Sequence, residues 1–296
     1  MSVLRPFFKN LFDGLASSTL ASWPMTRIVR RAPAALRSRV YHRLSQRPLA
    51  RSTTTARCLG LRMRLDLNDD VQRAIYFGMF EREELEVLRG CISEGDVCID
   101  AGANVGFYTC HLARWVGKSG HIHAFEPEPR NVESLAANVQ LNGLSSQVTI
   151  HPIALSFEKG RALFHRAACD HSGWGSFHHY EGHVGNMEVE TETVDGFLEG
   201  QGLEEIALLK VDVEGADFDV YRGAGKTLSK RAVRFIMAEW NGIWFPRQNR
   251  SFRDFTNYFA QFGYRPLESQ HAMIHRYESN EAEALGQIVN VVFHRS

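Results

Sequence analysis

The chain has 296 residues, 44% of them hydrophobic and 23% charged, with 34 basic and 34 acidic side chains. This excludes collagen, a coiled coil and a largely disordered chain, and it admits one or two domains with an ample core. The even balance hides an asymmetry: residues 1–60 carry eleven Lys/Arg against one acid, Asp13, a net of +10, so residues 61–296 carry −10.

The basic arm, residues 1–60, comes first. Leu4, Phe7, Phe8, Leu11, Phe12 and Leu15 recur at helical spacing, and residues 25–44 interleave Arg with Ile28, Val29, Leu36, Val40 and Tyr41. Three readings stay open: an extension packed on the body, a basic amphipathic helix on an anionic membrane, or a cleaved targeting segment. No apolar run reaches the ~18–20 residues a membrane-spanning helix needs. The cysteines (Cys58, Cys91, Cys98, Cys110 and Cys169) are odd in number and lack C-x-x-C spacing. They point to a reducing, cytoplasmic setting without disulfides or a zinc site, with peripheral membrane contact through the arm as one of its readings.

Residues 61–95 read as a strand and helix cap. Leu61, Met63, Leu65 and Leu67 alternate as in a strand; Asp69 and Asp70 start a helix running to Phe77; residues 81–88 form another. From residue 96 strands and helices alternate. Strands are predicted at 96–100, 121–125, 148–155, 206–213, 233–239, 264–267 and 288–294. Helices are predicted at 107–116, 131–142, 218–228 and 252–262. Residues 156–192 break the rhythm as a hairpin-like insertion. Alternating elements with apolar strands imply an α/β fold, a parallel sheet covered on both faces. Ligands then bind beyond the carboxyl ends of the strands.

The first strand ends in Asp100-Ala-Gly102-Ala-Asn104-Val-Gly106, a turn in which Gly102, Asn104 and Gly106 tolerate left-handed backbone. The second ends in Glu126, placed to accept two ribose hydroxyls and to repel a 2′-phosphate. The ligand is therefore an adenosine derivative. A carboxylate at Asp100 repels a pyrophosphate and suits an ammonium, which favours S-adenosylmethionine over NAD. Ala154 and Leu155 leave room for an adenine. Lys210, Asp212 and Glu214 share one side of an extended segment, and Glu239 adds a carboxylate at the same edge.

These segments, with Phe125-Glu-Pro127, Ser156 and Thr193-Val-Asp195, resemble the FkbM family of S-adenosylmethionine-dependent methyltransferases from Tyr76 to Asn241. The resemblance implies a class I methyltransferase (Rossmann-like) sheet of about seven strands, the last antiparallel. It also implies O-methylation of a sugar, glycolipid or other natural-product hydroxyl. Residues 76–81 resemble the family's region before the glycine turn, which closes over the cofactor. The site so implied has Asp100, Gly102, Asn104, Gly106, Glu126, Ala154, Leu155 and Asp212 toward the cofactor. Asp212 is the expected base, Lys210 and Glu214 hold the polar site, and Glu239 is the alternative base.

His171, His178, His179 and His183 crowd the insertion with no accompanying acid or Cys motif, so no metal site is assigned there or at Asp212, Glu214 and Glu239. The acceptor is expected to be a small molecule or a glycan- or lipid-linked group. A nucleic acid is not expected, because the amino-methylating N/D-P-P-Y/F loop is absent and residues 61–296 are acidic. The alternatives are an NAD-dependent oxidoreductase, a methyltransferase of nucleic acid or protein, or a non-catalytic binding module. The sequence names neither the acceptor nor the oligomeric state.

Overall fold

A hairpin of β1 (Thr53–Cys58) and β2 (Leu61–Asp66) precedes helices α1 (Asp70–Phe77) and α2 (Arg82–Cys91). Then come β3 (Val97–Ala101), α3 (Phe107–Val116), β4 (His121–Phe125), α4 (Pro129–Leu141) and β5 (Val148–His151). β6 (Ala154–Leu155) leads into the insertion, which holds β7 (Gly160–Ala167) and β8 (His183–Glu192). The rhythm resumes with α5 (Val194–Gln201), β9 (Ile206–Val211), α6 (Asp217–Gly223), α7 (Gly225–Ser229) and β10 (Val233–Asn241). It closes with α8 (Phe252–Ala260), β11 (Tyr264–Pro266), α9 (His271–Ser279), α10 (Glu281–Ala284) and β12 (Ile288–Arg295). This computed structural model describes residues 37–38, 41–42, 52–168, 170–179 and 182–295. The Phe/Leu stripe and most of residues 25–44 lie outside the described residues. At Arg37 and Tyr41 the arm meets α1: Arg37 donates to Phe77 O at 2.8 Å, and Arg73 lies over the Tyr41 ring. No described helix is long and apolar enough to cross a membrane.

Seven strands form one sheet in the order β11-β12-β10-β9-β3-β4-β5. β3, β4, β5, β9 and β10 run parallel, and β12 runs antiparallel to β10 and β11, as expected for the last strand. Neighbouring residues on a strand face opposite ways, so each strand feeds two cores. Cys98, Leu208 and Met237 join the cluster under α1–α4, and Ile99, Leu209 and Ile236 join the one under α5–α10. Helix α8 shows how sequence fixes packing. Ser251 and Asp254 form a reciprocal capping box, and Phe252, Phe255 and Phe259 form one fully buried face.

Three expectations shift. Residues 148–155 are two strands, because Pro152 has no N–H to continue a ladder. β5 stays in the main sheet, while β6 pairs with β8 in a separate β6-β8-β7 sheet. The segment 218–228 is two helices. A side chain at Gly223 would put its Cβ 2.0 Å from the Ser156 carbonyl, so the chain comes close to the insertion there. Finally, the arm contains β1, paired with β2 through Leu59-Gly60; both have positive φ (45° and 91°), the turn geometry that matches strand twist.

Candidate active site

The turn between β3 and α3 is built around two close approaches. A Cβ on Gly102 would lie 1.8 Å from the Asp212 carbonyl, and one on Gly106 would lie 2.5 Å from Leu135 Cδ1. Gly102 N and Ala103 N both donate to Phe125 O at 3.0 Å, which ties the turn to the end of β4. Asn104 takes a φ of 48° and donates its N–H to Glu126 Oε2 at 2.8 Å. The other Glu126 oxygen accepts from Glu128 N at 2.9 Å and Asn131 Nδ2 at 3.4 Å. Burial lifts the Glu126 carboxyl to about 7 against the pull of these three donors.

Beyond the turn lies a cavity of about 210 Å³ over the carboxyl ends of β3, β4, β9 and β10. Gly102, Asn104, Glu126, Ala154, Leu155, Lys210, Asp212, Glu214 and Glu239 all line it, so the structure brings these expected residues to one place. Asp100 and Gly106 stand behind the wall. Asp100 is fully buried, bonded to Thr109 Oγ1 at 2.6 Å and 3.3 Å from Lys210 Nζ. It therefore supports the lysine instead of reaching into the turn.

Lys210 joins the two halves of the site. Its ammonium donates to Gly102 O at 3.1 Å and Asp212 Oδ2 at 3.2 Å, and it sits 5.3 Å over the Tyr108 ring. Burial alone would pull it down, but Asp212, Asp100 and Glu81 outweigh that and hold it above the ordinary lysine range. Glu214 has a left-handed φ of 54°, and its carboxyl is lifted well above the usual range by burial and by Asp212 and Asp217. Glu239 is lifted the same way, by burial and by Asp212, and accepts from Asn241 Nδ2 at 3.1 Å.

Sequence reasoning missed three contributors, Asn131, Asp217 and Tyr108, and gave a fourth, Glu81, no role beyond its place in the 76–81 segment. Asn131 bonds Glu126, and Asp217 holds the 213–215 loop by accepting from Val213 N at 3.3 Å and Gly215 N at 3.0 Å. Glu81 and Tyr108 also line the cavity, and Tyr108 OH donates to Glu81 Oε2 at 2.5 Å. Burial and the Asp212 charge raise Glu81 to about 7. An acid at the helix-start position of α2, where a Ser, Thr, Asp or Asn cap is usual, was the available signal for Glu81.

The insertion crosses the cavity as a strap. Ser172 N donates to Asp69 Oδ2 at 2.6 Å, and its carbonyl accepts from Asn131 at 3.1 Å. Ser176 Oγ donates to Glu214 O at 2.7 Å. The four histidines do not converge: His171 pairs with Asp70 and His178 with Gln248, while His179 and His183 lie beside His165. Among the described residues no group of three or more His, Cys, Asp or Glu side chains is arranged to hold a metal ion.

Among the described residues, five carboxyl groups on the wall face one cation, Lys210, which is already paired with Asp100 and Asp212. The described wall offers a pyrophosphate no free cation, whereas its carboxyl oxygens can accept from an ammonium. Glu126 would take its ribose, Leu155 its adenine, and the Gly102–Asn104 turn its middle.

The model of the FkbM methyltransferase domain matches residues 100–266. The 2-O-methyltransferase NoeI of Sinorhizobium fredii is 30% identical over 159 residues, covering 49% of this chain and 63% of that protein. The hexuronic acid methyltransferase AglP of Haloferax volcanii is 26% identical over 161 residues, covering 54% of this chain and 62% of that protein. The chain thus spans less than two thirds of the length of these curated relatives. Among solved structures, an FkbM methyltransferase from Methylobacillus flagellatus is similar at 12% identity and a TM-score of 0.41, over 87% of this chain and 58% of that one. With the family model covering more than half its length, the chain belongs to the FkbM methyltransferase family.

Proposed function

We propose that the chain transfers the methyl group of S-adenosylmethionine to a hydroxyl oxygen of a sugar, free or carried on a glycan or lipid. The observation that carries this reading is that the carboxyl groups of Glu126 and Asp212 line one cavity on either side of the glycine turn. The relatives named for a 2-O-methyl and a hexuronic acid product support a sugar acceptor. The acid-lined cavity speaks against a nucleic-acid backbone and against NAD.

Bound S-adenosylmethionine supplies an electrophilic methyl group. The acceptor oxygen must be aligned with it and lose a proton. Asp212 takes that proton. Lys210, held by Asp100 and Gly102 O, fixes the Asp212 carboxylate from behind. Glu214 and Glu239, whose carboxyls burial pushes toward the neutral form, line the same cavity and hydrogen-bond the acceptor's other hydroxyls. The strap at 172–176 keeps water off the pair.

Methyl transfer from labelled cofactor to a panel of sugars and uronic acids tests the reading. At least one sugar should be methylated on oxygen, and Asp212→Asn should cut turnover by ~10²-fold or more while S-adenosylhomocysteine still binds. Wild-type turnover in that variant moves the base to Glu239; no binding of S-adenosylhomocysteine to the wild type sinks the assignment. For residues 1–60 we propose reversible, salt-sensitive attachment to anionic membrane, each Arg adding ~1 kcal/mol at the surface. Flotation with anionic liposomes, of the full chain and of a chain starting at Ser52 so that β1 is kept, decides it.

A further inference from the structure

We propose that Glu81 receives the ammonium group of S-adenosylmethionine and thereby anchors the amino-acid end of the cofactor; this rests on the function proposed above. Glu81 stands at the start of α2 and makes no capping bond to it. Its backbone has φ 33° and ψ 46°, a left-handed conformation that costs a non-glycine residue energy. Both features work against local stability, and the side chain that could have capped the helix lines the cavity instead.

The side chain is held there. Tyr108, in the first turn of α3, bonds one oxygen, and neighbouring Phe80 packs edge-on against Phe107 at 5.2 Å. Among the described residues the other oxygen has no hydrogen-bond partner, and the residue lines the cavity.

Position along the cavity selects the ligand group. Glu126 marks the ribose, and its charged neighbour is Glu128. Glu81 instead is bonded to Tyr108, whose ring lies 5.3 Å under the Lys210 ammonium at the β3–β9 end. A cofactor laid from Leu155 past Glu126 and across Gly102 brings its amino-acid end there. Three other acceptors beside the glycine turn are taken. Asp100 is paired with Thr109 and Lys210 behind the wall, Gly102 O accepts from Lys210, and Asp212 is paired with Lys210. Like Glu214 and Glu239, Glu81 has no cation bonded to it among the described residues; unlike them it stands beside the glycine turn, bonded to Tyr108 of α3.

Two ligands isolate the ammonium. S-adenosylhomocysteine carries it, while 5′-methylthioadenosine keeps the adenosine and sulfur and lacks the amino acid. Calorimetric titration of the full chain should show Glu81→Gln weakening S-adenosylhomocysteine by about tenfold or more and leaving methylthioadenosine within about twofold. Tyr108→Phe should give a smaller loss of the same selectivity. An equal loss on both ligands in Glu81→Gln, or a loss on neither, overturns the proposal. A loss of turnover with unchanged S-adenosylhomocysteine affinity also overturns it, by moving Glu81 to the acceptor. If the wild type binds neither ligand, the cofactor reading itself falls; if it binds both and the variant matches it, only the role of Glu81 falls.

Discussion

Replacing Glu126 by Gln separates what this carboxylate does for the ligand from what it costs the fold. A carboxyl lifted from 4.5 to about 7 by burial is disfavoured in its charged form by about 3 kcal/mol. The sign follows: the stability linked to Glu126 is full below pH 4.5 and is lost as the pH rises through 7. Gln removes that penalty. It also has one acceptor oxygen where Glu126 uses two, for Asn104 N and Glu128 N, so one N–H loses its partner at ~1–3 kcal/mol. The two effects oppose each other, and above pH 7 the variant should be as stable as wild type within about 2 kcal/mol. Its advantage should shrink as the pH falls toward 4.5. The ribose hydroxyls, in contrast, lose a charged acceptor worth ~1.5–3 kcal/mol, so S-adenosylhomocysteine should bind more than tenfold more weakly. Urea unfolding between pH 4.5 and 8 and calorimetry at pH 8 read the two quantities. A folded variant with wild-type affinity refutes the ribose assignment, and a stability difference that ignores pH refutes the burial argument.

Two further outcomes follow from buried charges. Lys210→Met leaves Asp100 and Asp212 without their cation and should lower unfolding stability by ~3–5 kcal/mol in urea titration at neutral pH. Burial lowers His111 to about 4, and its Nε2 has no hydrogen-bond partner among the described residues. Its neutral form therefore stabilises the fold fully above pH 6.5, and that contribution is lost as the pH falls toward 4. His111→Phe, which keeps the edge contact to Phe107, should gain on wild type over that window, by about 2 kcal/mol at pH 5. A difference that stays flat from pH 8 to pH 5 refutes it.

The elements legible in the sequence are those with dense periodic signals. Residues 107–116 and 121–125 read correctly to the residue, because Gly106, Gly117 and Gly120 punctuate apolar runs. The strand β1 was hidden by its Thr-Thr-Thr-Ala-Arg-Cys composition, which has no apolar alternation and sits among arginines. The carboxylates at strand ends were legible because a parallel sheet brings all such ends to one edge. The target of Asp100 was not, since its pairing with Lys210 depends on which strands become neighbours. Glu81 was legible only as part of the 76–81 segment, and its individual role was opaque for the same reason. Only the folding of α1 and α2 against α3 brings it to a residue 131 positions later, Asp212.

The Lys210 ammonium touches the cofactor turn at Gly102 O and the proposed base at Asp212 with the same three protons. Substitutions around it will therefore not sort into binding variants and rate variants. Effects at Asp100, Lys210 and Asp212 should be strongly non-additive, and KM for the cofactor and kcat should move together. An engineer seeking a new acceptor gains nothing by randomising this hub. Diversity belongs on the β7–β8 hairpin and at the exposed Trp174 and Ile288, where a change can retune the acceptor's seat and leave the shared cation undisturbed.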